Sequence, residues 1–98
     1  MVGITSVNIR LFEVKSLKEK RSILKPAIER IKSRHHISIA ETDKQDCYSE
    51  AVIEFAVVGN KKSFIETIMQ KILLELGNTG YLDIVSVDHE VISIWQDD

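Results

Sequence analysis

The stretch "SVNIRLFEVKSLKEKR", residues 6–21, changes its hydrophobic period halfway along. Val7, Ile9 and Leu11 alternate with Ser6, Asn8 and Arg10, the period of two that gives a strand one buried and one wet face. A first strand is therefore predicted from about Ile4 to Val14. Ser16 and Glu19 then stand at the spacing of a capping box, in which a hydroxyl and a carboxylate satisfy backbone donors at a helix start. Past them, Leu17, Leu24, Ala27, Ile28 and Ile31 fall on one stripe at about 100° per residue, so an amphipathic helix runs to roughly Arg34. Pro26 lies inside it. Proline has no N–H for the carbonyl of Ser22, and its ring crowds that oxygen, which predicts a bend near Ser22 or a break into two pieces. The stripe continues on both sides of Pro26 and favours the bend.

A strand that runs straight into a helix sets the pattern for the remainder. "HISIAET" (36–42) reads as a second strand with Ile37 and Ile39 inward, followed by the polar connection "DKQDCYSE". "AVIEFAVVG" (51–59) reads as a central strand, with Ile53, Phe55 and Val57 on one face and Glu54 on the other. Asn60 is placed to cap a second helix carrying Ile65, Ile68, Met69, Ile72 and Leu76, which Gly77 and Asn78 end. The last segment, "YLDIVSVDHEVISIW" (81–95), is strand-like but changes parity between Val85, Val87 and His89 on one side and Ile92 and Ile94 on the other, so a bulge is expected near His89 and Glu90. The order βαββαβ, with right-handed crossovers, predicts a single α+β domain over residues 1–98. Its four-stranded antiparallel sheet has the order 4-1-3-2 with both helices on one face, the ferredoxin-like arrangement. The opposite face is then bare, lined by Asn8, Arg10, Ser38, Ala40, Glu54, Ser86 and Asp88.

The chain has 98 residues and a formal net charge of −2, but that charge is unevenly spread. Lys15 to Arg34 hold eight bases against two acids, and the rest of the chain holds five bases against thirteen acids. One basic element able to attract an anion thus sits in an otherwise acidic molecule. The start "MVGITSVNIR" lacks the cationic and apolar segments of a signal peptide, and "AVIEFAVVG" is too short to span a bilayer. A cytoplasmic protein with no membrane partner is expected, and the single cysteine, Cys47, fits a reducing compartment.

Three separated motifs resemble the YlxP-like bacterial family of unknown function: "SLKEKR" after the first strand, "SIAETDKQD" with Tyr48 and Ala51 just beyond, and "VVGN" before the second helix. The similarity runs over nearly the whole chain. Tyr48 stands where the family commonly has an aromatic, often Trp, and Cys47 replaces a plain apolar residue. The resemblance implies a ferredoxin-like fold and no established enzymatic activity. It also implies a gene neighbourhood, in many bacteria, of translation initiation and ribosome maturation factors. The joint recurrence of the motifs implies that Glu41 or Asp46 pairs with a base of "SLKEKR".

With Leu17 at 0°, Lys18, Arg21, Lys25 and Lys32 fall at about 100°, 40°, 80° and 60°, a stripe of cations beside the core stripe and about 21 Å long. Such a stripe can follow several phosphates and release their counterions. The bland alternative is a solvated face whose lysine stems cover the core edge. The bare sheet face lacks the aromatics that base-stacking modules of this topology use: Phe12 lies at a strand end and Phe55 has inward parity. The acidic loop Glu41, Asp43, Asp46 and Glu50 lacks the glycine and spacing of a calcium loop. Adjacent His35 and His36 would point apart in a starting strand, and His89 is distant, which argues against zinc. Cys47 has no neighbouring base to activate it. "FEVKSLKEK" has no glycine for the phosphate loop of an acylphosphatase, nor the C-x-x-C of a metal-transfer domain. No enzyme, metal or cofactor is therefore expected. The reading is a non-catalytic accessory protein of RNA or the ribosome, with ribosomal RNA or a ribosomal subunit as partner. Lys18, Arg21, Lys25 and Lys32 would contact phosphates, and Arg30 and Arg34 would assist. The alternative is a protein-interaction module that self-associates, as a homodimer, through the bare face or an edge strand.

Overall fold

The computed structural model describes residues 1–94 as β1 (Val2–Leu11), α1 (Leu17–His35), β2 (Ser38–Asp43), β3 (Glu50–Val58), α2 (Lys62–Gly77) and β4 (Leu82–Ile92). The strands form one antiparallel sheet in the order β2-β3-β1-β4, the expected order counted from the other edge. Trp95, where the strand reading ended, lies outside the described residues. Alternation decides which face is covered. Val7, Ile9 and Leu11 of β1 and Ala51, Ile53, Phe55 and Val57 of β3 are buried beneath Leu24, Ala27 and Ile31 of α1 and Ile65, Met69, Ile72 and Leu76 of α2. The opposite parity forms the bare face, where Asn8 Nδ2 donates to Ser86 Oγ at 2.9 Å across β1 and β4.

α1 runs unbroken for 19 residues with Pro26 inside it, so the two-piece reading is excluded. Ser16 Oγ accepts from Glu19 N at 3.1 Å, while the Glu19 carboxylate reaches back to Lys15 N at 2.9 Å, one residue before the cap. The helix lasts through His35 because His36 takes a left-handed conformation (φ 52°) and its N–H closes on Lys32 O at 2.9 Å. β2 consequently starts at Ser38, and the two histidines do not share a strand.

Two further expectations are corrected. The bulge lies at Val85, since Asn8 faces Ser86 while Ile9 faces Ile84. Ile84 and Val87 both take the inward parity of their β1 partners Ile9 and Val7, and the three-residue step between them needs one extra residue there. Asn60 does not cap α2: the N-cap is Lys61, whose ammonium is donor-only and makes no side-chain cap. Packing sets that helix start instead. A Cβ on Gly3 of β1 would lie 2.3 Å from Ile65 Cγ2, so only glycine lets α2 come this close to the sheet. Beside it the buried Thr5 hydroxyl donates to Met69 Sδ at 3.0 Å.

Candidate nucleic-acid interface

The motif "SLKEKR" opens α1, and the helical step sorts its cations. Lys20 falls on the stripe of Leu24, Ala27 and Ile31, and it is only 1% exposed. Its Nζ donates to the carbonyls of Lys44, Cys47 and Glu50 at 2.8, 2.6 and 2.7 Å. Three donors thus meet two carbonyls of the β2–β3 connection and that of Glu50 at the start of β3, and Glu41 Oε2, 2.6 Å from the ammonium, balances its charge without a hydrogen bond of its own. The pairing expected between "SLKEKR" and Glu41 or Asp46 is made by Lys20 and Glu41. Lys20 acts like a tethered monovalent cation around which the connection folds. The sequence carried a signal for this, because Lys20 occupies a core position in the spacing Leu17, Lys20, Leu24, Ala27, Ile31.

Lys18, Arg21, Lys25 and Lys32 are exposed, and among the described residues none of them forms an ion pair. Because α1 is continuous, they lie along one flank of it. Which flank follows from Arg34, on the other side of the buried stripe at about 260°. Arg34 Nη1 meets Glu75 Oε1 of α2 at 2.6 Å, and His35 Nε2 meets Glu75 Oε2. The side of α1 bearing Arg34 and Arg30 therefore faces α2. α1 packs on β2, so the four-cation flank overhangs the β2 edge of the sheet and points away from α2. Arg34 is committed to Glu75, and Arg30 lies apart from the four.

The acidic loop is partly neutralised from within. Lys44 Nζ pairs with Glu50 Oε1 at 3.0 Å, and this carboxylate holds the lysine's pKa above its ordinary value. The half-buried Cys47 thiol lies 3.5 Å from Ser49 Oγ, and that hydroxyl, helped by the backbone N–H groups of Ser49 and Glu50, lowers its pKa. Among the described residues, no three His, Cys, Asp or Glu side chains are grouped to hold a metal ion. None of the described helices is long and apolar enough to cross a membrane.

The chain is 29% identical over 73 residues to the uncharacterized protein YlxP of Bacillus subtilis (strain 168), a match covering 74% of this chain and 79% of that one. Two de novo designed proteins share the fold at low identity. One is designed with a ferredoxin fold (14% identity, TM-score 0.64, 100% of this chain and 94% of that one), and the other is Foldit4 (17%, 0.60, 95% and 100%). Their likeness shows the fold alone. The model of a protein family of unknown function, DUF503, matches residues 2–89, and the chain belongs to that family.

Proposed function

We propose that this protein is a non-catalytic accessory protein of RNA or the ribosome that grips phosphates with the outer flank of α1. The observation that carries the reading is the uninterrupted helix, on which Lys18, Arg21, Lys25 and Lys32 form a row about 21 Å long with no acid partner among the described residues. Cations left unpaired in a chain rich in acids are a standing attraction for a polyanion. Phosphate contacts of this kind carry little sequence information and weaken steeply with salt. Sedimentation with ribosomal subunits at low and high salt tests the reading. The parent should travel with a subunit at low salt and dissociate at high salt, and a variant with all four cations changed to Gln should stay behind. Co-sedimentation that ignores the four changes would overturn the helix mechanism.

A second reading rests on the bare face. Its end near the chain start is apolar: Val2 faces Val58 and Ile92 in register, Ile4 lies one step along, and Val58 is 75% exposed. A homodimer through this patch would show as a doubled mass in light scattering that Val58→Glu halves. A monomer at all concentrations would eliminate it.

A further inference from the structure

The fold gathers three connections at one end of the sheet: β1 to α1, β2 to β3, and α2 to β4. Each carries one exposed aromatic residue, Phe12 (41%), Tyr48 (48%) and Tyr81 (59%). They are remote in sequence and adjacent in the fold. Leu11 N donates to Ser49 O at 2.8 Å and Phe12 N donates to Tyr81 O at 2.8 Å, so the connections bearing the three rings are hydrogen-bonded side by side. Strands lie about 4.8 Å apart, which sets the three attachment points in a row about 10 Å long.

The row is held rigidly. Lys20 fastens the connection carrying Tyr48 to the first turns of α1 through three carbonyls. Three of the four non-glycine residues with positive φ, Glu13 (58°), Lys44 (59°) and Tyr81 itself (61°), lie in these same connections. Side chains tolerate this conformation only where the surroundings dictate it, and such residues gather at binding sites. Lys18 and Arg21, both without an acid partner among the described residues, open α1 at this same end.

We infer that Phe12, Tyr48 and Tyr81 form a stacking platform for the unpaired bases of a single-stranded RNA whose phosphates follow the α1 flank. The inference rests on the phosphate-binding reading above and adds the class of RNA. Two or three rings on a fixed frame are what recognition of splayed bases requires, because every base has a face to stack. Glu13, Asp43, Asp46 and Asp83, also in or beside these connections, would repel phosphates and keep the RNA backbone on the α1 flank, leaving the bases to reach the rings. A duplex keeps its bases stacked inside and offers the rings nothing.

Fluorescence anisotropy with a labelled oligouridylate of about twelve nucleotides, and with a duplex RNA of equal length, tests the platform. Phe12→Ala, Tyr48→Ala and Tyr81→Ala should each weaken single-strand binding by about tenfold while leaving the salt slope unchanged. Tyr48→Phe should bind like the parent, because it keeps the ring. Thermal unfolding of each variant separates lost binding from lost structure. Alanine variants that fold and bind the oligouridylate like the parent would overturn the platform, as would a duplex bound as tightly as the single strand. If the four-cation variant still loses affinity in that case, the helix reading survives alone. If the parent binds neither RNA, both fall.

Discussion

Lys20 and Arg21 are neighbours in the chain and opposites in the fold. Lys20 is spent inside the molecule on three carbonyls and a carboxylate, whereas Arg21 stands in solvent without an acid partner among the described residues. One helical step of about 100° separates a structural ammonium from a cation available to a ligand. A count of basic residues therefore overstates the field outside the molecule. The charge that matters for recognition is what remains after the fold has used its share.

The largest expected effect lies on the buried side. Lys20→Met takes a donor from three carbonyls, of which Lys44 O keeps the Cys47 N–H, and leaves Glu41 without its countercharge; it should cost about 3–5 kcal/mol of unfolding free energy in urea. Adding Glu41→Leu should recover part of that loss, because no charge is then left uncompensated. A loss under about 1 kcal/mol for Lys20→Met would reduce the ammonium to the rank of a surface ion pair and break the comparison.

Next in size is the seat of α2. Gly3→Ala sets a methyl 2.3 Å from Ile65 Cγ2 in a packed core and should cost about 2 kcal/mol, seen as a lower urea midpoint at unchanged slope. Ile65→Val alongside it should relieve part of the clash. If Gly3→Ala alone is neutral, Ile65 does not seat tightly against β1.

Between the two extremes sits Glu75, which takes Arg34 and His35 of α1 onto α2. Arg34 is more than half exposed, so water screens its half of the contact. Glu75→Gln should cost about 1 kcal/mol, measured by the same denaturation. A cost near that of Lys20→Met would show that Arg34 also belongs among the structural cations.

The sequence made the fold legible because each of its signals is local. Alternation through Val7, Ile9 and Leu11, the Ser16 and Glu19 spacing, and the stripes of both helices need no knowledge of distant neighbours. What escaped depends on pairing. Val85 and Val87 share a parity and a side chain, and only their alignment with Asn8 and Val7 decides which is the bulge. Asn60 is a better capping residue than Lys61, but α2 starts where Ile65 can seat on Gly3. Lys20 was hidden by its type, since a lysine at a core spacing reads as surface until three carbonyls are found around it. The basic flank was legible because it depends only on helical periodicity. Phe12, Tyr48 and Tyr81 were not, because three connections must first be brought to one end.

The smallest expected effect on stability is the most informative about the flank. Changing Lys18, Arg21, Lys25 and Lys32 together to Gln removes four charges that form no ion pair among the described residues and should shift unfolding free energy by less than about 0.5 kcal/mol. Relief of repulsion within the row could even raise it slightly. The same variant should lower the salt dependence of single-stranded RNA binding by about three in the slope of log K against log salt, four contacts at roughly 0.7 each. Stability and binding then separate completely on one helix: Lys20 moves the first and the flank moves the second. A flank variant that unfolds as readily as Lys20→Met would mean that these cations, too, are consumed by the fold, leaving no free charge for a polyanion to find.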